Sequence, residues 1–251
     1  MRKALGVILT PLVLFLSLSV MAGSIEEFVR EAVEDSSRID AARERDSSRK
    51  PAEILAFSEI APGDSVLEIA PGGGYYTGLL SRVVGADGKV HAVDPERIFE
   101  QFPKAREGFP GYMAEDPRDN VDYSVQFLDQ ISIDGKVDQV WMVLYYHDTI
   151  WTGEDRAAMN RAFFEMLEPG GEYIVVDHHG LAGAGASITQ ELHRMDADTA
   201  RADLEAAGFI LVDESKVLAN PDDPRNDSVF SPERRGKTDR FVWKYRKPAD
   251  G

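Results

Sequence analysis

Cysteine is absent from the 251-residue sequence. Disulfides, thiol nucleophiles, cysteine-ligated zinc and lipid attachment at a cysteine are all excluded. Internal repeats, low-complexity linkers and blocks of like charge are absent too. Basic residues are few, 28 against 44 acidic ones, for a net charge of −16. That balance argues against a nucleic-acid backbone or an anionic membrane as partner, and it reads most simply as solubility. Long apolar runs are limited to one, Ala4 to Val20, broken only by Thr10, Pro11, Ser17 and Ser19 and preceded by Arg2 and Lys3. It is near the lower limit for spanning a bilayer, and Val20-Met21-Ala22 supplies small residues at the spacing of a signal-peptidase site. Residues 1–22 are expected to be a signal peptide, with an uncleaved anchor as the alternative. Residues 23–251 would then be one exported, periplasmic domain of ordinary size, with no stable membrane association.

In that domain, residues 24–60 form a helical extension. Ile25, Phe28, Val29 and Val33 recur at helical spacing, and Pro51 suits the first turn of a further helix ending at Ala61-Pro62-Gly63-Asp64. Short apolar runs then alternate with helical stretches. Strands are predicted at 65–69, 89–93, 121–125, 137–144 and 172–176. Helices are predicted at 75–84, 95–102 and 154–167, the last with Thr152 and Asp155 as a capping box. The alternation implies βαβ units and a parallel sheet. Near the end, a helix over 197–207 stops at Gly208, and 209–213 and 240–245 read as two strands with no helix between them. The fold class is therefore α/β: a Rossmann-like three-layer α/β/α sandwich, its seven-stranded sheet mostly parallel with an antiparallel last strand.

The most informative stretch is Glu68-Ile69-Ala70-Pro71-Gly72-Gly73-Gly74-Tyr75-Tyr76-Thr77, which leaves a strand and opens a helix. Such a turn brings a ligand close to bare backbone. A carboxylate at its edge, Glu68, would repel a diphosphate but suits a nucleoside carrying an ammonium and a sulfonium, as S-adenosylmethionine does. Thr77 stands where the dinucleotide pattern Gly-x-Gly-x-x-Gly needs glycine. Asp94, at the end of the second strand, is placed to accept hydrogen bonds from ribose hydroxyls. Asp129, after the third, is a candidate for the adenine amino group. Cofactor binding is thus assigned to Glu68, Ala70, Pro71, Gly72, Gly73, Gly74, Asp94 and Asp129.

The stretch resembles the first motif of class I S-adenosylmethionine-dependent methyltransferases, Glu/Asp-x-Gly-x-Gly-x-Gly, with Ala70 replacing the first glycine. The Leu167-Glu168-Pro169-Gly170-Gly171 turn is a frequent feature of the same class. Within it the chain resembles a narrower group, predicted exported bacterial methyltransferases, through Arg49–Phe57, Pro71–Thr77, Tyr146-His147-Asp148, His193–Asp196 and Gly236–Phe241. The resemblance implies the fold, S-adenosylmethionine as cofactor and a small-molecule or protein methyl acceptor, but it identifies no particular substrate.

Ligands of open α/β sheets bind outside the carboxyl ends of the strands. Catalysis is accordingly assigned to Tyr146, His147 and Asp148, with His147 as general base and Asp148 orienting it or acting itself. Asp177, His178 and His179 end the fifth strand and could join His147 and Asp148 around a metal, but the match is loose and no metal ligand is assigned. His193 and Arg194 are expected to line the pocket, Lys237 and Arg240 to pair with the acidic surface, and Trp141 to pack in the core. Tyr75, Tyr76, Tyr145 and Trp151 are placed near the site, where aromatic rings hold adenine or a sulfonium. Because S-adenosylmethionine is made in the cytosol, a non-catalytic exported nucleoside-binding protein is the competing reading. An NAD(P)-dependent oxidoreductase is a further one, disfavoured by Glu68, Thr77 and the last strand pair.

Overall fold

The computed structural model describes residues 24–249; the expected signal peptide lies outside them. Seven strands form one sheet: β1 (Ser65–Ile69), β2 (Lys89–Pro95), β3 (Val121–Gln126), β4 (Val137–Val143), β5 (Leu167–His178), β6 (Ile210–Ser215) and β7 (Arg240–Arg246), in the order β3-β2-β1-β4-β5-β7-β6. β1 to β5 run parallel, and β7 is antiparallel to both β5 and β6, as the helix-free final strand pair predicts. The chain winds one way from β1 to β3 and the other way from β4 onward. The crevice between the ends of β1 and β4 is therefore the topological switch point where such sheets bind ligands.

Eleven α-helices are described: α1 (Ile25–Glu34), α2 (Asp40–Arg43), α3 (Asp46–Arg49), α4 (Pro51–Ser58), α5 (Tyr75–Val84), α6 (Glu96–Gln101), α7 (Gly108–Glu115), α8 (Asp148–Trp151), α9 (Arg156–Met166), α10 (Thr189–Leu192) and α11 (Ala197–Ala206). None is long and apolar enough to cross a membrane. The central strands read as continuous apolar runs because both faces are covered. Leu67, Ile69, Val140 and Met142 face a core with Phe163 of α9 and Leu204 of α11. Val66 and Trp141, pointing the other way, join Ile54, Leu79 and Leu80 of α4 and α5. The period-2 alternation of side chains thus divides each strand between two apolar layers, and Trp141 is core, as expected.

Some local expectations are corrected. Thr152 does not cap α9. Gly153 turns the chain at φ 81°, Asp155 is the cap and accepts from the Ala158 amide, and the Thr152 hydroxyl donates back to the Asp148 carbonyl. The single helix expected at 95–102 is followed by a 3₁₀ turn, Pro103–Glu107, and by α7, both of which go unpredicted. Gly208, with φ 100°, ends α11 as predicted.

Candidate active site

The glycine turn joins β1 to α5 in a sequence of left-handed residues. Ala70, Gly72 and Gly74 have φ of 56°, 57° and 71°. Ala70 thus holds the conformation that the usual glycine would adopt, at a cost of roughly 1–2 kcal/mol for an L-residue. Gly74 has a second constraint, since a Cβ there would lie 2.1 Å from Cδ1 of Tyr112, whose ring covers the first turn of α5.

Glu68 is placed differently from expectation. Its carboxylate lies beneath the turn rather than at its edge, accepting a 2.5 Å hydrogen bond from the Thr77 hydroxyl. Burial drives its pKa up to about 8, against the opposing pull of Thr77. The reason is geometric: Thr77 is one helical turn into α5 and folds back over the end of β1. Glu68 still lines a cavity of about 200 Å³ together with Ala70, Pro71, Gly72, Gly73 and two residues not assigned to the site from the sequence, Arg45 and Arg49. The Arg49 guanidinium stacks over Tyr75 at 4.6 Å and Tyr76 at 5.9 Å. These two rings therefore hold an arginine. Tyr75 is itself fixed by donating its hydroxyl to Asp46, which pairs with buried Arg38.

Asp94 is buried at the end of β2, where the Tyr123 hydroxyl donates to it at 3.0 Å. Burial raises its pKa to about 6, and hydrogen bonds from Tyr123 and the Gly72 backbone limit the rise. Asp129 pairs with Arg97 through Oδ2 at 3.3 Å, while its Oδ1 is buried with no partner. Arg97 also reaches Glu154, whose burial raises its pKa to about 7.

This donor set fits S-adenosylmethionine. Arg49 and Glu68 line one small cavity, the guanidinium suiting the carboxylate of its amino-acid end and Glu68 suiting the ammonium, whose charge favours the ionised form of the buried carboxyl group. The glycine turn admits close approach, Asp94 retains lone pairs for ribose hydroxyls, and the orphaned Asp129 Oδ1 lacks the donor that an adenine amino group supplies.

After β4 the chain turns sharply at Leu144, φ 60°, and the three assigned catalytic residues diverge. The Tyr146 side chain is fully buried, and its hydroxyl accepts from Asn160 at 2.7 Å. It cannot reach an acceptor, and its assignment is corrected to core. His147 is buried as well. Its Nδ1 faces Asp177 at 2.7 Å, and its Nε2 faces Asp148 at 3.1 Å and His193 at 3.2 Å. Burial alone would lower its pKa, but Asp177 and Asp148 outweigh that and raise it to about 10. With both ring nitrogens engaged, His147 is not poised as a free base near neutral pH. Asp148 is held below the ordinary carboxylate range by His147 and His193, although burial opposes this. Of the three residues that end β5, Asp177 joins His147, but His178 and His179 do not. His178 Nδ1 meets the Thr238 hydroxyl, and the partner brought in is His193.

Arg194 is likewise not a pocket residue. It is fully buried, paired bidentately with Asp223 at 2.8 and 3.1 Å, and it anchors the 218–237 connection. Arg240 does not pair with the acidic surface. It donates to the Ser48 carbonyl, its Nε has no partner, and it lines a second cavity of about 530 Å³ with Arg45, Arg49, Arg235, His178 and Phe230. Lys237 is exposed. Among the described residues none of Arg45, Arg49, Arg235 and Arg240 has a carboxylate within salt-bridge distance. Burial and the proximity of Arg45 lower the pKa of Arg49 to about 10.

Comparison with known proteins agrees with this fold. Arsenite methyltransferase of Halobacterium salinarum is 27% identical over 176 residues, 63% of this chain, and the chain spans only 40% of that relative. An S-adenosylmethionine-dependent methyltransferase structure from Aquifex aeolicus superposes with a TM-score of 0.58 at 18% identity, covering 88% of this chain and 97% of its own. Fibrillarin of Aeropyrum pernix, solved with natively bound S-adenosylmethionine, superposes at 0.52 with 14% identity, covering 80% and 76%. The model of the protein-L-isoaspartate(D-aspartate) O-methyltransferase family matches residues 24–194. With a glycine turn, acidic strand ends and an arginine fitted to S-adenosylmethionine at its switch point, the chain belongs to that family of S-adenosylmethionine-dependent methyltransferases.

Proposed function

We propose that the chain transfers the methyl group to a carboxylate oxygen of an acceptor seated in the arginine-lined cavity. Four arginines that have no carboxylate partner among the described residues, around one cavity in a chain of net charge −16, carry this reading. Arg45 and Arg235 are exposed, but Arg49 is half-buried and Arg240 buried; an acidic protein has ample carboxylate to neutralise them, and a buried guanidinium left without an anion is costly unless a ligand supplies one. Arg45 and Arg49 border both cavities, which puts the anion next to the cofactor seat. S-adenosylmethionine, when bound, supplies an electrophilic methyl carbon. The protein's residues supply placement: arginine donors suit bidentate recognition of a carboxylate, and such an oxygen is already an anion. No proton has to be removed from it, so the transfer needs no general base.

The acceptor in the family's name, an isoaspartyl or D-aspartyl residue of a protein, is of this chemical class. Arsenite, the acceptor named for the Halobacterium salinarum relative, is a softer partner that favours thiolates, and this chain has none. The apolar run behind Arg2 and Lys3 supports export, and periplasmic fractionation tests that part. The central test uses S-adenosylmethionine with a labelled methyl group and isoaspartyl peptides or an acid-rich extract. Transfer that yields base-labile label, released as methanol, supports a carboxyl ester. Label that withstands mild alkali refutes it.

A further inference from the structure

Two segments far apart in sequence bring three donor atoms to one point. His147 Nε2 lies 3.1 Å from Asp148 Oδ1, His193 Nδ1 lies 3.1 Å from the same oxygen, and the two imidazole nitrogens are 3.2 Å apart. The three atoms form a nearly equilateral triangle, and each can offer a lone pair to its centre once an ion displaces the shared proton. They form a potential metal-binding group among the described residues. We infer that His147, Asp148 and His193 bind a divalent first-row transition-metal ion, a site independent of the acceptor assignment above.

The spacing is that of a ligand set. At bond lengths of about 2.1 Å, donors so spaced subtend roughly 95–100° at an ion, between octahedral and tetrahedral values. Two imidazoles and one carboxylate on one side of an ion suit zinc, manganese, iron or cobalt and leave positions for water or a ligand oxygen.

The groups behind the donors support the same conclusion. Asp177 is fully buried, and its carboxylate is oriented by the amides of His147 and His178 at 2.8 and 2.7 Å. It faces His147 Nδ1, so that nitrogen carries the proton and Nε2 is turned toward the triangle. A carboxylate behind a ligating histidine in this way fixes its tautomer and strengthens the ligand. Asp148 Oδ1 is steadied by the indole N–H of Trp151 at 2.8 Å. His193 ends α10 in the left-handed conformation, φ 51°, a strained state for a histidine that persists where surrounding contacts impose it. Its ring is held between Trp151 at 5.9 Å and Phe230 at 4.7 Å, and Phe230 also lines the larger cavity. An ion here would tie the start of α8 to the end of α10 at the margin of the acceptor cavity. A proton shared within the triangle is the alternative occupant.

The test is a titration of the purified, chelator-treated protein with Co²⁺, read by visible ligand-field absorption and by thermal melting. One Co²⁺ per chain is expected, with a melting temperature that rises with Co²⁺ concentration, and Zn²⁺ should displace the absorption. His193→Gln changes the ligand least buried in the cluster, 23% exposed, and should weaken Co²⁺ binding by 100-fold or more. Asp177→Asn should weaken it about 10- to 100-fold, the usual range for a group behind a ligand. His91→Gln, on a distant strand, should leave it unchanged. Circular dichroism checks that each variant is folded. If the unmutated protein binds neither Co²⁺ nor Zn²⁺, or if folded His193→Gln binds Co²⁺ as tightly as the parent, the site does not exist and the triangle holds a proton.

Discussion

Replacing Glu68 with glutamine tests the position of this carboxyl group directly. Glutamine keeps the shape and the carbonyl that accepts from Thr77, but removes the titration. In the folded chain burial holds the Glu68 proton up to about pH 8, whereas the unfolded chain loses it near 4.5. Between those values the unfolded state binds fewer protons than the native state, so unfolding becomes easier as pH rises. The displacement corresponds to at most roughly 5 kcal/mol, reached by pH 8 and constant above it. Urea unfolding of both proteins at half-unit steps from pH 4.5 to 8.5 isolates the effect, because other titrating groups cancel in the difference. Glu68→Gln is expected to gain stability relative to the parent across that window, by several kcal/mol at pH 8. A difference that stays flat would show that Glu68 is ionised in the native state and exposed to water. Binding of S-adenosylmethionine, whose positive charges favour the ionised form, should release protons in the parent near pH 7 and fewer in the variant, which calorimetry in two buffers detects.

Other consequences follow from the turn and the buried ion pair. Ala70→Gly should raise stability by about 1 kcal/mol, since glycine accepts φ 56° freely; destabilisation by denaturant titration would contradict a left-handed Ala70. Gly74→Ala should cost about 1–3 kcal/mol and abolish cofactor binding through collision with the Tyr112 ring. Adding Tyr112→Ala should recover part of the stability, and strict additivity would refute that contact. Arg194→Met leaves Asp223 buried without its partner and should cost about 3–5 kcal/mol; a thermal shift under one degree would place that pair in solvent.

The sequence alone determined what depends on neighbours along the chain. Period-2 and 3.6-residue patterning located all seven strands and α5, α9 and α11, because each apolar run is buried by the layer its own periodicity demands. The glycine turn was legible because φ near 60–70° selects residue type locally, and Asp94 because a strand's end is set by the strand. Helix-free connection of the last two strands was enough to predict antiparallel β7. Tertiary structure alone decided which side chains meet. His147 and His193 are 46 residues apart, and Arg240 reaches Ser48 across 192. No local preference records either approach, so the arginine cluster and the donor triangle could not be read in advance. Burial divided residues that adjacency grouped: of Tyr146, His147 and Asp148, the first went to the core and the other two to the cluster with His193. It also moved Glu68 beneath the turn, because α5 returns Thr77 over the end of β1. Dielectric and partners at such positions are properties of the packed sheet, and only its assembly sets them.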